Sequence, residues 1–537
     1  MNEPRSVFDV FSRTVRASPE AAFLIVPRAA DTIRIQTYSQ VSAAVARQKQ
    51  AYRAAGYGHG HRVVLLLENR PEFFVHVLAL NALGVGIVPV NPDYRVDELR
   101  YLITHSDALL AVSVPDKTDR LREAGRGTLG AIDLPVINGL DLATPIPEAH
   151  SPAPNAERKI TPETECALLY TSGTTGRPKG CVLTNDYFLI AGAGYVSHGG
   201  MAAIKIEQER FYNPLPLFHM NHLAVTATAA MLTRNALVLT ERFSPSKWWP
   251  EIVASGATII HYLGIVAPTL LNQPPSDLER QHAVRFGIGA GCEPQLHRVF
   301  EERFGFPLIE VWGMTETGRV TMANTEPRQI DTRAFGRASA DLDAIVVDDN
   351  DQPVPDGTAG ELLVRHSPSA PRHGFFSGYL KNEAATEEAW RGGWFHTGDV
   401  VTRDETGMLF FVDRKKNIIR RAGENIAAAE IEAVLQAHTH VSQVAVIAAP
   451  DEVREEEIFA CVVPMPGVQV TPEFADELFQ WCNDRLAYFK APGWFLFLDA
   501  LPTTGTQKVQ KTQIFATTED PRTRAGALEF RARKKRG

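Results

Sequence analysis

The segment from Tyr170 to Gly180, YTSGTTGRPKG, constrains this chain more than any other part of its sequence. Apolar runs flank it on both sides, and Gly173 and Gly176 can adopt backbone conformations that are closed to other residues. The chain can therefore fold tightly around a ligand there. Backbone N–H groups, the Lys179 ammonium and a set of hydroxyls could then surround a polyphosphate. The hydroxyls belong to Thr171, Ser172, Thr174 and Thr175.

A flexible surface loop is the alternative interpretation, because clusters of Gly, Ser and Thr usually form such loops. The segment is also not the P-loop of nucleotide-binding ATPases. Its glycine-to-lysine spacing differs from that motif, and no Ser or Thr follows the lysine.

The composition is that of a soluble protein with more than one core. At 537 residues the chain is too long for one compact core, so two or more structural units are expected. The formal net charge of -8 argues against an extended nucleic-acid-binding surface. The basic run RARKKRG at the C-terminus is expected to be a solvated, mobile tail.

A cytoplasmic location without stable membrane insertion is predicted. The N-terminal MNEPRSVFDVF lacks the apolar core of a signal peptide. The most apolar stretch, residues 73–90, contains His76, Asn81 and Gly or Pro breaks, which favour a buried helix running into a strand over a membrane span. Five scattered cysteines form neither a CxxC nor a Cys/His spacing, so no zinc site or disulfide framework is expected from them.

The order of predicted elements indicates an α/β fold with a distinct C-terminal part. From Val63, short β-branched runs alternate with helical patterns, as is typical of parallel strands with crossover helices. From Asp341, short alternating runs predict an antiparallel, barrel-like section, and a smaller α+β pattern follows the cluster RKKN. Strands of a second α/β series are predicted near 236–240, 257–263, 283–289 and 307–313.

Two further segments carry side chains suited to a nucleotide. VWGMTETG (311–318) supplies Glu316, an oxygen ligand suited to Mg2+, Thr315 as a donor to a phosphate, and Trp312 as a flat face for adenine. GWFHTGDV (393–400) supplies Asp399, whose carboxylate can accept hydrogen bonds from both ribose hydroxyls.

These segments, together with RKKNIIRRAGENI and LPTTGTQKVQK downstream, resemble in their order the signature motifs of the acyl-adenylate-forming superfamily. That superfamily contains acyl-CoA synthetases, non-ribosomal adenylation domains and beetle luciferases. The resemblance implies a large N-terminal domain of two α/β subdomains and a small β-barrel-like subdomain, followed by a small mobile α+β domain. The implied boundaries are residues 1–413 for ATP and acid binding, a hinge at 414–416, and residues 417–537.

The resemblance also implies roles for individual residues. Lys508 would neutralise charge between the acid and the α-phosphate, Lys416 would be the hinge, and Gly423 would lie in the loop that serves thioester formation. Thr315, Glu316 and His219 join Lys508 as implied catalytic residues. Lys415 and Lys511 are expected to be surface residues. The implied nucleotide contacts are Thr171, Ser172, Gly173, Thr174, Thr175, Lys179, Gly289, Ala290, Gly291, Trp312, Gly313, Asp399 and Arg414, and the implied acid pocket is Asn221, His222, Val225 and Met314.

The implied enzyme is an AMP-forming acid–thiol ligase that uses ATP, Mg2+ and coenzyme A. The run PLFHMNHLAVTATAAM resembles the subgroup with crotonobetaine/carnitine-CoA ligases, and its polar residues favour a small to medium polar or aromatic carboxylic acid. Two alternatives stay open: an adenylating enzyme that passes the acyl group to a carrier protein or another acceptor, and a non-catalytic ligand-sensing homologue. A monomer or homodimer without nucleic acid is expected.

Overall fold

The structure is a computed structural model. Cα packing divides it into an N-terminal unit, Met1–Asp343 with Arg365–Trp394, and a C-terminal unit, Ala344–Val364 with Phe395–Gly537. The side chains of Lys416 and Asn425 are not described. The described residues are 3–28, 32–130, 132–171, 178–421, 424–503, 509–516 and 519–534.

Side-chain caps fix where several helices begin. Ser6 accepts a hydrogen bond from the N–H of Asp9, and Thr184 does the same for Tyr187, which satisfies N–H groups that the helix itself leaves unpaired. A single π-helical turn, Asn221–Thr226, precedes α7. The α-helices of the described chain are α1 (Val7–Ala17), α2 (Tyr38–Ala54), α3 (Pro71–Asn81), α4 (Val96–Ser106), α5 (Thr118–Ala124), α6 (Asn185–Ser197), α7 (Ala227–Leu232), α8 (Pro245–Ser255), α9 (Val266–Leu271), α10 (Pro294–Phe304), α11 (Glu383–Ala389), α12 (Ala428–Gln436) and α13 (Pro472–Asn483).

The strands are short, and many of those in the N-terminal unit are buried along their whole length, which accounts for their uninterrupted apolar sequences. The strands of the described chain are β1 (Ala22–Pro27), β2 (Ile33–Thr37), β3 (Arg62–Leu66), β4 (Gly86–Pro89), β5 (Leu110–Ser113), β6 (Val136–Asn138), β7 (Glu165–Thr171), β8 (Lys179–Thr184), β9 (Arg210–Tyr212), β10 (Ala236–Val238), β11 (Ile259–Leu263), β12 (Phe286–Ala290), β13 (Leu308–Gly313), β14 (Val320–Met322), β15 (Ala334–Gly336), β16 (Asp343–Val347), β17 (Gly360–Arg365), β18 (Gly378–Tyr379), β19 (Phe395–Arg403), β20 (Leu409–Arg414), β21 (Ile418–Arg421), β22 (Glu424–Ala427), β23 (Val441–Asp451), β24 (Glu455–Pro464), β25 (Trp494–Phe497) and β26 (Leu528–Glu529).

Two largely parallel sheets form the N-terminal unit. One has the strand order β18-β8-β7-β4-β3-β5-β6, and the other has the order β14-β13-β12-β11-β9-β10-β1-β2. Antiparallel pairs occur at their ends, for example β7 with β8 and β13 with β14. The predicted α/β fold is confirmed, and β10 to β13 correspond to the strands predicted in the second series.

The most apolar stretch of the sequence is a buried helix, α3, that leads into β4, as predicted. Its polar side chains are satisfied internally. His76 lies 2.7 Å from the Tyr52 hydroxyl and 3.0 Å from the carbonyl oxygen of Gly139, and Asn81 accepts a hydrogen bond from the N–H of Phe8. Within the described ranges, no helix has the length and apolar character needed to cross a membrane.

The C-terminal unit contains an antiparallel sheet, β20-β19-β17-β16, and a mixed sheet, β22-β21-β24-β25-β26, with β23 also paired to β24. The antiparallel section expected from Asp341 is therefore present. At the predicted hinge, the buried Asp413 carboxylate accepts hydrogen bonds from the N–H groups of Arg414 and Ala429 and from the Asn417 side chain. The packing does not place a boundary at 414–416, which stays a prediction.

The basic C-terminal run is partly packed against the C-terminal unit, so the expectation of a solvated tail is wrong for Arg531 and Lys534, whereas Ala532 and Arg533 are exposed. Phe530 lies in the core of the C-terminal unit. The Lys534 side chain is 1% exposed and contacts the fully buried Glu457 carboxylate, which also accepts hydrogen bonds from Arg421 Nε at 2.9 and 3.0 Å. Burial lowers the pKa of Lys534 to about 8 despite this pairing.

Candidate active site

The predicted phosphate loop connects β7 and β8 in the N-terminal unit. Thr171 and Lys179 are cross-strand partners at the base of this hairpin. The Lys179 ammonium lies 4.6 Å from the ring centre of Tyr379, which is within the range of a cation–π contact. The predicted phosphate contacts Ser172, Gly173, Thr174 and Thr175 lie outside the described residues, so their roles stay predictions.

Glu316 forms the centre of a polar cluster with the base of this hairpin. Its side chain is buried, and its Oε1 atom lies 3.4 Å from the Thr171 hydroxyl and 3.1 Å from the Tyr379 hydroxyl, both of which can donate to it. The structure therefore brings Thr171 and Glu316 into contact, while their roles at a phosphate and at Mg2+ stay predictions. Tyr379 also positions Lys179 through its ring.

Sequence reasoning missed Tyr379. It lies on the two-residue strand β18, where it pairs with Cys181 of β8, and this long-range register leaves no local motif in FFSGYL. Burial, with the Glu316 charge as a second cause, raises the pKa of Tyr379 well above its usual range, so the phenol stays a neutral donor.

The donor set of this cluster fits a magnesium ion. Mg2+ prefers one or two carboxylates, with phosphate oxygens and water completing its coordination, and Glu316 supplies a buried carboxylate beside two hydroxyls. Described side chains that would hold the ion and its phosphates are Glu316, Thr171 and Lys179. The ion, when bound, would reduce the negative charge on the phosphate oxygens.

The VWGMTETG segment (311–318) also contains the predicted site residues Trp312, Gly313, Met314 and Thr315. Trp312 is buried and packs on Phe335, with ring centroids 6.2 Å apart, so Phe335 covers part of the predicted adenine platform. Thr315 is half-buried, and its carbonyl oxygen accepts a hydrogen bond from Tyr187 at 2.8 Å. Gly313 is exposed at the end of β13, and Met314 is half-buried.

The predicted adenine contacts Gly289 and Ala290 end β12, and Gly291 follows them. A side chain at Gly289 would bring its Cβ to 2.3 Å from the Tyr262 carbonyl oxygen, so only glycine fits. Gly291 has a φ of +85°, a conformation that favours glycine. The backbone can therefore turn sharply at the end of this strand.

Glu310 holds this turn, and sequence reasoning missed it. Its carboxylate accepts hydrogen bonds from the N–H groups of Gly291 at 2.8 Å and Cys292 at 3.1 Å, and from the Tyr262 hydroxyl at 2.5 Å. Burial raises the pKa of Glu310. An acid inside the apolar strand PLIEVWG was the available signal, because a buried carboxylate needs several partners.

A second polar cluster surrounds the π-helical turn that carries three of the predicted pocket residues. Asn213 donates to the Asn221 side chain at 3.0 Å and to the Thr226 hydroxyl at 2.9 Å. His222 is fully buried, and Val225 packs in the core. The structure therefore brings Asn221, His222 and Val225 together on one turn.

His219 lies just before this turn and is half-buried, with its ring 4.6 Å from that of Phe218. Burial lowers its pKa to about 4, so the ring is neutral at pH 7. In the described part of the chain, no hydrogen bond joins His219 to Thr315 or Glu316. Its catalytic role stays a prediction.

In the C-terminal unit, Asp399 and Arg414 are cross-strand partners of β19 and β20. Arg414 Nε lies 2.7 Å from Asp399 Oδ1, and the Asp399 side chain is almost fully buried. Sheet register therefore brings together the two residues to which the resemblance assigns the ribose. The Lys416 side chain, Gly423 and Lys508 lie outside the described residues, so their roles stay predictions.

Glu361 lies on β17, which pairs with β19, and it binds the backbone next to Asp399; sequence reasoning also missed it. Its carboxylate accepts a hydrogen bond from the N–H of Gly398 at 3.1 Å and pairs with Lys415 at 2.9 Å. Lys415 also pairs with Asp349 at 3.1 Å. Lys415 lies at the surface, with its side chain 38% exposed, but two carboxylates engage it, so it is more than a solvated charge.

Lys511 is not the surface residue that was expected. Its ammonium lies 2.8 Å from Glu432 Oε1, and both side chains are mostly buried. Burial raises the pKa of Glu432, although the Lys511 charge opposes this shift. An ion pair with a buried acid therefore accounts for this lysine without a role at the active site.

We expect Asp399→Asn to raise the KM for ATP by at least about tenfold, because hydrogen bonds to a charged acceptor contribute about 1.5–3 kcal/mol. Pyrophosphate release at varied ATP concentrations measures this value. Asp356→Asn removes an exposed carboxylate that pairs with Arg403 in the same unit and should leave the KM unchanged. An unchanged KM in Asp399→Asn would remove the ribose assignment.

We expect Glu361 to make unfolding pH-dependent. Burial alone would raise its pKa, but hydrogen bonds from His396 and Lys415 outweigh burial and lower the pKa to about 2, from a usual 4.5. A lowered folded-state pKa stabilises the fold above pH 4.5, and this contribution is lost as the pH falls towards 2. The urea midpoints of the wild type and Glu361→Gln should therefore differ most above pH 4.5 and converge in acid. A constant difference over this range would contradict the assignment.

The comparisons with known proteins agree with this architecture. Residues 11–380 match the family model described as AMP-binding enzyme, and residues 430–508 match the AMP-binding enzyme C-terminal domain. Sulfoacetate–CoA ligase of Cupriavidus necator is 32% identical over 522 residues, which cover 95% of this chain and 98% of that protein. Crotonobetaine/carnitine–CoA ligase of Proteus mirabilis is 30% identical over 506 residues, which cover 91% and 95%.

Solved structures show the same fold. ATP-bound MatB of Rhodopseudomonas palustris has a TM-score of 0.80 at 25% identity and covers 95% of this chain and 98% of its own. O-succinylbenzoate CoA synthetase of Bacillus subtilis with ATP and a magnesium ion has a TM-score of 0.78 at 25% identity, with 94% and 98% covered. The predicted enzyme class, an AMP-forming acid–thiol ligase that uses ATP, Mg2+ and coenzyme A, is confirmed. The chain belongs to the AMP-binding enzyme family.

Proposed function

We propose that this chain joins a compact, polar carboxylic acid to coenzyme A through an acyl-AMP intermediate, and that the acid carries a neutral hydrogen-bond donor away from its carboxylate. The choice of acid rests on the hydrogen bonding of the His222 side chain, and in particular on its Nε2 atom. It is buried, and it has no hydrogen-bond partner within the described residues.

In the first step, the carboxylate oxygen of the acid attacks the α-phosphorus of ATP, and the bond to the β-phosphate oxygen breaks. Lys179 and the hydroxyls of Thr171 and Tyr379, which meet around Glu316 and Tyr379, would hold the departing pyrophosphate. Lys508 would neutralise the charge where the carboxylate meets the α-phosphate.

In the second step, the thiol of coenzyme A loses its proton to solvent, its sulfur attacks the acyl carbon, and AMP leaves with the bonding electrons of the acyl–oxygen bond. Asp399 would retain the ribose during both steps through its buried carboxylate. No side-chain nucleophile is needed, because positioning and electrostatics can supply the catalysis.

The hydrogen bonding of the His222 side chain supports an acid that carries a donor. The carbonyl oxygen of Leu215 lies 2.7 Å from Nδ1, so Nδ1 carries the proton and donates it. Burial lowers the pKa of His222 to about 4, so at pH 7 its other ring nitrogen, Nε2, is an acceptor. An unpaired buried acceptor is costly, and an O–H or N–H group of the acid would satisfy it.

The protonation state of the histidines in this cluster distinguishes between acids with a second charged group and acids with an uncharged polar group. Burial, with a smaller effect from His222, lowers the pKa of His261 to about 3, so this second histidine is also neutral. Other polar groups in the cluster are the Asn213, Asn221 and Thr226 side chains and the Tyr195 hydroxyl, which lies 3.1 Å from His261 Nε2. None of these groups can neutralise a second anion or a quaternary ammonium ion, which favours an uncharged hydroxyl or amide on the acid.

The test is a pyrophosphate-release screen of matched acids with and without coenzyme A, with acyl-CoA identified by mass. Each hydroxy or amide acid is paired with its analogue that lacks the donor, and sulfonated and betaine-type acids are included. We expect acyl-CoA formation with at least about 100-fold selectivity for the donor-bearing acid, because sites that bind a hydroxyl reject analogues without it.

His222→Phe should remove this selectivity, and His150→Phe, at an exposed histidine, should preserve it. Activity only with sulfonated or betaine-type acids would overturn the proposed acid. Adenylation without any transfer to coenzyme A would favour a different acceptor, and no adenylation with any acid would favour the non-catalytic alternative.

A further inference from the structure

A cluster of two histidines and a glutamate lies on the C-terminal unit and takes no part in the proposed reaction. His438 and His440 follow helix α12, and Glu477 lies on α13. The ligand atoms that they offer all lie within 4.8 Å of one another. Glu477 Oε1 is 3.1 Å from His438 Nε2 and 3.8 Å from His440 Nδ1.

These distances are close to those around a bound metal ion. In a tetrahedral zinc site with bonds of about 2.0–2.1 Å, neighbouring ligand atoms are about 3.3 Å apart. Small side-chain rotations of His440 and Glu477 would therefore suffice, and both side chains are about half exposed, so they can rotate. Because both side chains are exposed, an ion and its water ligands can reach the cluster from solvent.

The surroundings of the cluster favour an imidazole-binding transition metal over Mg2+. The His438 ring is packed edge-to-face against Trp481, with centroids 4.9 Å apart, and His440 lies 6.1 Å from Phe474. Trp481 is itself fixed by a 2.8 Å hydrogen bond from Nε1 to the Val434 carbonyl oxygen. Two imidazoles and one carboxylate are a ligand set typical of Zn2+, whereas Mg2+ selects oxygen ligands.

One hydrogen bond opposes metal binding. The N–H of His440 points at His438 Nδ1 over 3.3 Å, so in the metal-free protein the proton of His438 lies on Nε2, facing Glu477. An ion at Nε2 would require the ring proton to move to Nδ1, where it would face the His440 N–H, so this long contact would be lost and the ring would turn away from that donor. The loss of one weak hydrogen bond reduces affinity by about tenfold at most, which a site with three protein ligands tolerates.

We propose that His438, His440 and Glu477 form a binding site for a zinc-class divalent ion that ties the turn after α12 to helix α13. The site is independent of the proposed ligase reaction. With three ligands and one of its histidines oriented by an opposing N–H, it should bind Zn2+ at micromolar rather than picomolar concentrations.

The test uses the full chain, treated with a chelator and dialysed, and measures Zn2+ binding by calorimetry and by competition with a zinc-sensitive dye. Substitution of Co2+ gives visible absorption bands that distinguish a four- or five-coordinate protein site from the hexaaqua ion. The variants are His440→Ala and Glu477→Gln, both at exposed side chains, with His150→Ala as the matched control. Far-UV circular dichroism in the absence of metal confirms that each variant folds.

We expect both variants to weaken Zn2+ binding by at least about tenfold relative to the wild type and to His150→Ala, and to abolish the cobalt bands. Zn2+ should also raise the melting temperature of the wild type but not that of the two variants, and excess Mg2+ should not compete. Equal Zn2+ binding in the variants and the wild type, or no binding at micromolar Zn2+, would overturn the proposal.

Discussion

Glu316→Gln is expected to reduce acid-dependent pyrophosphate release by at least about 100-fold, which is the scale of removing one preorganised charge at a phosphate site. Glutamine preserves the volume and can still accept from Thr171 and Tyr379, which lie 3.4 and 3.1 Å from Oε1. The reduction in rate therefore reports the negative charge of Glu316 and not its hydrogen bonds. Initial rates at saturating ATP over a series of Mg2+ concentrations measure it, and the concentration of Mg2+ at half-maximal rate should rise.

Tyr379→Phe provides a graded comparison for Glu316. It removes one neutral donor and retains the ring beneath Lys179, so we expect a reduction of about tenfold or less. Glu326→Gln, at an exposed acid of the same unit, should be neutral. If Glu316→Gln released pyrophosphate at the rate of Glu326→Gln, Glu316 would not be a metal-binding residue.

Lys508→Ala is expected to abolish acid-dependent pyrophosphate release, with a loss of at least about 100-fold, because two anions must approach each other in that step. Thioester formation from supplied acyl-AMP should stay within about threefold of the wild type, since the attack of a thiol on the acyl carbon brings no second anion to the phosphate. Separate assays of the two half-reactions measure both rates.

Lys511→Ala is the matched control for this experiment. Lys511 is three residues further along the chain, and its ammonium is already engaged by the mostly buried Glu432. Its removal should lower the melting temperature through the unpaired Glu432 and leave the rate of pyrophosphate release nearly unchanged. Equal losses in both half-reactions for Lys508→Ala, or a larger adenylation defect in Lys511→Ala, would contradict the assignment.

The sequence predicted the parts of the site that are encoded in contiguous segments. Thr171, Lys179, Glu316 and Asp399 each belong to a local motif, and the strands that position them follow from apolar runs. The buried helix α3 was predictable for the same reason.

What the sequence could not predict depends on sheet register and on burial. Tyr379 reaches Glu316 only because β18 pairs with β8, and Glu361 reaches the Gly398 N–H beside Asp399 only through the pairing of β17 with β19. The basic tail was misjudged because its composition indicates solvent exposure, whereas the buried Glu457 and the packing of Phe530 keep Lys534 inside. Charge patterns along a chain do not show which long-range partner a side chain will have.

In the hinge rotation implied by the family resemblance, the hydrogen bonds of Asp413 would affect the timing of the two half-reactions. Rotation at Lys416, which we propose, would separate Asp413 from Ala429, whose N–H lies 2.8 Å from its carboxylate. A hydrogen bond to a charged acceptor contributes about 1.5–3 kcal/mol, which corresponds to a bias of about tenfold to 100-fold towards the unrotated arrangement. The strength of this hydrogen bond would then set how fast the rotation follows adenylation, and so how long acyl-AMP persists before thioester formation. A substitution at Asp413 could therefore change the interval between the two steps without altering a residue that contacts either substrate.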